Sequence, residues 1–175
     1  MNGFEIAGYE FQAWTFDCLA TGSRSIPNRA AIYCFLVRST GVAIDLFAHV
    51  RPKLIVVAGE EFYPLYIGES YAARSRMEEH VFGEDISSGF RSTLRAISLQ
   101  TGCFTGCSIG SEASWLEQYT IAATCEPEYI CIAEKQVIET TGSLLNIKGN
   151  DRAHAKWLRA LRRQMREEAA MPPGG

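Results

Sequence analysis

The chain has 175 residues, 47% of them hydrophobic and 21% charged, with 15 glycines and 6 prolines. That balance excludes a disordered or low-complexity chain, and the length suits one globular domain spanning residues 1–175. The net charge of −3 does not advertise a polyanionic partner, but it is uneven: residues 151–175 carry six basic against three acidic side chains, and residues 1–150 eleven against seventeen.

The N-terminal "MNGFEIAGYEFQAW" lacks a basic segment followed by an apolar one, and no run of about eighteen apolar residues occurs anywhere, so a cytoplasmic protein without a membrane partner is expected. Six cysteines in such a chain read as reduced thiols. Cys103 and Cys107 lie four apart in "GCFTGC", but zinc needs two further ligands, and no neighbouring His or Cys pair supplies them at a recognisable spacing.

In chain order, "YEFQAWTF" (Tyr9–Phe16) predicts an edge strand, and "IPN" breaks the chain before "AAIYCFLVR" (Ala30–Arg38), a run of apolar and aromatic residues of strand length that predicts a central strand. Between them and the next strand, "VAIDLFAHV" fits either a strand or a short helix, while "KLIVVAG" ends in a β-type run. An extra strand or hairpin is expected within residues 40–61. "FYPLYIG" (Phe62–Gly68) predicts a strand, and "SYAARSRMEEHVF" a helix ending at Gly83, with Ser70 as its N-cap and Ala73, Met77 and Val81 as an apolar row.

A second helix is expected to start near Ser87 or Ser88, keep Phe90, Leu94 and Ile97 in helical phase and close at Gly102. "SEASWLEQ" is a short helix candidate. "YTIAATCE" predicts a strand, "PEYICIAEKQVIETTG" a helix with Pro127 in its first turn and Gly142 at its C-cap, and residues 151–170 an amphipathic basic helix burying Trp157, Leu158, Leu161 and Met165. The order gives an α+β domain with a small sheet, because no helix long enough for a parallel crossover separates the early strands.

Tyr33 and Tyr66 lie in strands, Arg76 and His80 share one helix face at i and i+4, and Glu134 opens a later helix. These residue types suit phosphodiester hydrolysis, in which water must be positioned and deprotonated, phosphorane charge met by a cation, and the leaving oxygen stabilised by a metal on a carboxylate. Packing is the ordinary role of strand tyrosines, and a solvated face that of a helical Arg and His. Glu69 reads as an exposed strand-end charge, Glu139 as exposed, and His49 and His154 as residues without a legible partner.

With "AIY" at Ala31–Tyr33, "YIG" at Tyr66–Gly68, Arg76 ten residues after Tyr66, His80 four further on, and "EKQVIETTGSLLN" from Glu134 to Asn146, the sequence resembles the GIY-YIG nuclease superfamily over residues 30–146. Alanine replaces the first glycine, and the two tripeptide tyrosines stand 33 residues apart across a Val42–Glu61 insertion. The resemblance implies a small antiparallel three-stranded central sheet flanked by helices, here with an extra N-terminal strand and an inserted hairpin. It also implies Mg²⁺- or Mn²⁺-dependent hydrolysis of nucleic acid, DNA before RNA. Tyr33 or His80 would be the base, Tyr66 would stand beside it, Arg76 would neutralise the phosphorane, and Glu134 would hold the metal.

Gly68, Arg74, Asn146, Arg159, Arg162 and Arg163 complete the expected site as substrate contacts. A catalytically silent nucleic-acid-binding or protein-interaction module on the same fold is the alternative. The oligomeric state is not legible.

Overall fold

Both faces of strand β3 (Ala31–Arg38) are covered, which is why its apolar run is unbroken: Ala31 through Val37 are all buried. The computed structural model describes residues 3–15, 18, 26–41, 44–82, 88–101, 119–124 and 127–170. The other strands are β1 (Gly3–Ile6), β2 (Tyr9–Thr15), β4 (Ile55–Val57), β5 (Glu60–Ser70) and β6 (Tyr119–Thr124). All pairings are antiparallel, in the order β1-β2-β6-β3-β5-β4.

The fold is thus α+β, with the antiparallel β6, β3 and β5 at the centre of a six-stranded sheet. A two-stranded N-terminal hairpin, not one edge strand, extends it on one side; β2 is internal, between β1 and β6. On the other side the insertion contributes β4, preceded by 3₁₀ turns at Ser39–Gly41 and Ile44–Phe47. Both hairpins close with Ala-Gly loops, Ala7-Gly8 and Ala58-Gly59, whose residues all have positive φ, as two-residue loops that follow the strand twist require.

Four helices are described: α1 (Ala73–Phe82), α2 (Gly89–Thr101), α3 (Ile130–Thr141) and α4 (Arg152–Ala170). One sheet face presents Tyr33, Phe35, Val37 and Leu65 to Ala73 and Met77 of α1, Phe90, Leu94 and Ile97 of α2, and Leu158 of α4. The other presents Ile32, Cys34, Leu36 and Ile67 to Ala133, Val137 and Ile138 of α3. Pro127 opens a 3₁₀ turn ahead of α3, and Gly142 caps that helix with its N–H on the Ile138 carbonyl at 2.7 Å. None of the described helices is long and apolar enough to cross a membrane. The "SEASWLEQ" segment, the Cys103–Cys107 pair, Gly83, Ser87 and Gly102 lie outside the described residues.

Two features of β5 prepare the site. Its register against β3 slips between Phe35, opposite Tyr66, and Leu36, opposite Pro64, so Leu65 is an extra residue, and both Leu65 and Tyr66 join the same core. It also runs to Ser70, two residues past the expected end, pairing Glu69 with Ile32 and Ser70 with Ala31. Ser70 then accepts the Ala72 N–H at 3.1 Å as the chain turns into α1.

Candidate active site

Gly68 sits directly across from Tyr33 in the β3–β5 ladder. A Cβ there would lie 2.4 Å from both Cζ and the hydroxyl oxygen of Tyr33, so the bare glycine backbone is the floor on which the Tyr33 ring rests. That is its place in the site: it admits Tyr33, and any contact with substrate is secondary.

The Tyr33 hydroxyl lies 2.7 Å from Nε2 of His80, and Nδ1 of His80 lies 2.7 Å from the Ser88 hydroxyl. His80 is 1% exposed, ringed by Tyr33, Phe35, Tyr66 and Phe90 at centroid distances of 5.5 to 6.3 Å. It shares a face with Arg76 as expected, yet it is a core histidine. Burial, reinforced by Arg76 and Arg91, pushes its pKa down to about 3, so the ring is neutral at ordinary pH.

Burial likewise raises the Tyr33 hydroxyl far above its usual value, against the pull of the nearby Arg76 guanidinium. Tyr66 is pushed up to about 12, first by burial and then by Glu134, while Arg76 and Arg162 act the other way. Arg76 also pairs with Glu79 one turn on. Glu134, on the helix of the opposite face, lies near enough for its carboxylate to act on both tyrosines. Tyr33, Tyr66, Arg76, His80 and Glu134, 101 positions apart at the extremes of the sequence set, are therefore brought together.

Burial, opposed by Lys148 and aided by Glu69, holds the Glu134 carboxyl above its usual range. Glu69 and Glu134 offer the hard oxygen donors that a divalent cation such as Mg²⁺ or Mn²⁺ takes, and such a charge would relieve the repulsion between them. Among the described residues no three His, Cys, Asp or Glu side chains form a metal cage, so such an ion would complete its shell with water and substrate oxygens. Cys131, one turn before Glu134, reaches Glu69 with its thiol at 3.6 Å. Glu69 is thus part of this neighbourhood and not a stray strand-end charge.

Other expected substrate contacts fall elsewhere. Asn146 is 5% exposed: its amide donates to the Ile67 carbonyl at 2.7 Å, and its oxygen accepts the Ile67 N–H at 2.8 Å and the Ser143 hydroxyl at 2.5 Å. It clasps the outer edge of β5, which gives it a place in the framework. Arg74 pairs with Glu78 at 3.7 Å and Glu139 with Lys135 at the same distance, both on helix surfaces. His154 has a partner after all: it is fully buried, with Nε2 donating to the Leu144 carbonyl at 2.9 Å.

Arg159, Arg162 and Arg163 line a cleft of about 620 Å³ with Lys148, Lys156 and Arg166. Lys148 is the cation that acts on Glu134, and Arg162 one that acts on Tyr66, so the cleft adjoins the tyrosine and carboxylate group. Ser88 and Lys148 were not legible as site residues: Ser88 signals only a helix start, and Lys148 is one more surface lysine in the sequence. Arg91, a basic residue expected near the site, is 4% exposed beside His80.

The buried imidazole makes the fold acid-sensitive. The unfolded chain binds a proton at His80 below about pH 6.5 and the folded chain only near pH 3, so unfolding takes up a proton between these values and stability falls with acidification. The expected slope is up to about 1.4 kcal/mol per pH unit, with no contribution above pH 6.5. His154, also held down by burial, adds in the same direction. Urea denaturation from pH 4 to 8 should show a shallower acid limb for His80→Gln; an unaltered limb would place the titrating group elsewhere.

Comparison with known proteins gives no matching family model, no matching curated protein and no matching solved structure.

Proposed function

We propose that this chain is a metal-dependent endonuclease of GIY-YIG type that hydrolyses nucleic-acid phosphodiesters, DNA before RNA. The observation that carries the reading is the Tyr33 hydroxyl held 2.7 Å from a neutral, buried His80 beside Arg76, with the Glu134 carboxylate close by. Packing alone does not require an imidazole, a guanidinium and a carboxylate around two tyrosines.

A free Tyr33 phenolate is too costly here, because burial raises the phenol's pKa. The chemistry is therefore a paired transfer: as water attacks phosphorus, its proton passes to the Tyr33 oxygen while the Tyr33 proton passes to Nε2 of His80. The new P–O bond forms from the water oxygen and the scissile P–O bond breaks. Arg76 stands at the Tyr33 oxygen, where it meets charge developing on the phosphoryl oxygens. Glu134, with Glu69 beside it, would hold the divalent cation, which when bound supplies Lewis-acid stabilisation of the leaving oxygen. The α4 cleft would take flanking backbone phosphates.

The test is incubation of plasmid, linear, branched and single-stranded DNA, and RNA, with Mg²⁺ or Mn²⁺. Metal-dependent cutting is expected on at least one DNA. Binding without cutting would favour a silent nucleic-acid-binding module, and neither would leave a protein-interaction module as the better reading. Reversing Arg159, Arg162 and Arg163 to Glu is expected to weaken DNA binding and to flatten its log–log salt dependence by about 2–3, at roughly 0.9 per lost phosphate contact. An unchanged slope would take α4 out of the interface.

A further inference from the structure

The Tyr33 and His80 pair leaves one question of chemistry: which imidazole nitrogen carries the proton. Among the described residues the Tyr33 hydroxyl has one hydrogen-bonding partner, Nε2 of His80 at 2.7 Å, and the Arg76 guanidinium acts on it as a nearby cation. A guanidinium only donates, so Arg76 cannot receive the phenol proton. That proton has Nε2 of His80 as its acceptor, which requires Nε2 to be bare and the ring's single proton to sit on Nδ1.

Nδ1–H then needs its own acceptor, and Ser88 Oγ stands 2.7 Å away. Ser88 is 7% exposed and fixed as the first residue of the α2 cap: its carbonyl accepts from Ser92 N–H and from the Ser92 hydroxyl, each at 2.9 Å, and its Oγ faces the Arg91 N–H at 3.4 Å. The acceptor is thus held by the helix it caps. We propose that Ser88 is a positioning residue that fixes the Nδ1–H form of His80, so that the Nε2 lone pair is presented to Tyr33 as the proton acceptor.

The role of Ser88 in turnover rests on the nuclease reading; its control of the imidazole proton does not. When His80 takes the Tyr33 proton, the ring becomes an imidazolium facing Tyr33 and Phe35 of β3, Tyr66 of β5, Arg76 of α1, and Phe90 and Arg91 of α2. Two of these are cations and none is an anion, so the charged ring relies on its bonds to the Tyr33 oxygen and to Ser88, and the Nδ1–H bond to Ser88 strengthens with the charge. Scissile phosphate supplies the compensating negative charge from outside.

The experiment is ¹⁵N correlation spectroscopy of the His80 ring in the whole chain at neutral pH, for the wild type and for Ser88→Ala, Ser88→Thr and Ser88→Asp. Protonated Nδ1 is expected in the wild type, in Ser88→Thr and in Ser88→Asp, whose ionised carboxylate can only accept and also caps α2. In Ser88→Ala the proton is expected to move toward Nε2. A wild-type ring protonated at Nε2, or a Ser88→Ala ring identical to wild type, overturns the proposal; so does a Ser88→Asp ring that changes its protonated nitrogen.

With cleavable substrate, Ser88→Ala should lower kcat about 10- to 100-fold with little change in KM, and Ser88→Thr should restore it, as expected for a hydrogen bond to a group that becomes charged. If the wild type cuts nothing, the nuclease reading falls while the ring protonation still decides the role of Ser88.

Discussion

Gly68→Ala is expected to destabilise the protein by about 3 kcal/mol, the upper end for overpacking a filled interior, and to cut any hydrolytic rate by 100-fold or more. The added methyl would lie 2.4 Å from two atoms of the Tyr33 ring system and 2.9 Å from a third, and the ring has nowhere to retreat, with Phe35, Tyr66 and His80 around it. Relief must come from tilting Tyr33 off Nε2 or from parting β3 and β5. A double-mutant cycle with Tyr33→Leu, which removes all three clashing atoms, should show a coupling of about 1–3 kcal/mol by urea denaturation. Additive effects would mean that the glycine serves something other than the tyrosine.

Glu134→Ala should do the opposite to stability. The carboxyl is partly buried, and its burial and Glu69 both disfavour the ionised form, so removing it on a helix surface where alanine is the better helix former is expected to be neutral or slightly stabilising. Cleavage should nevertheless fall by at least about 10²-fold at saturating Mg²⁺, the scale for losing a principal charge stabiliser. Stability kept and activity lost is the pattern of a residue retained for chemistry. Robust cutting by a folded Glu134→Ala protein would sink this assignment of the site, and thermal denaturation beside a nicking assay reads both quantities.

Local pattern made part of this molecule legible. The seven-residue apolar run of β3, the amphipathic α4 with its basic face, the Gly142 cap and the i, i+4 pair of Arg76 and His80 all have periodic or capping signatures that survive folding. Strand β1 was missed because "GFEI" is four residues long with a charge in its middle, and it is fixed by pairing with β2, not by propensity. The run of β5 to Ser70 follows from its partner β3, which reaches back to Ala31.

At the site, sequence spacing named the side chains but not their surroundings. His80 reads as a solvated helix residue unless α2 is known to cover it. Asn146 reads as a ligand contact unless the Ile67 backbone, 79 positions away, is seen to need a partner. Glu69 and Glu134 belong to different elements, β5 and α3, and no periodicity links them. Such facts arise only from the packing of distant segments.

The clasp on β5 also orders events in time. Past Phe62 the outer edge of that strand has no β4 residue to pair with; Leu144, Leu145 and Asn146 instead bond to Pro64, Leu65 and Ile67. Contacts between segments this far apart carry a large loop-closure cost and form late. A chain emerging from the ribosome therefore holds the strand bearing Tyr66 and Gly68 with one edge open until residue 146 has been made. Completion of the candidate site is tied to synthesis of the segment that leads into α4, and a chain arrested before it would display that edge to any other nascent strand.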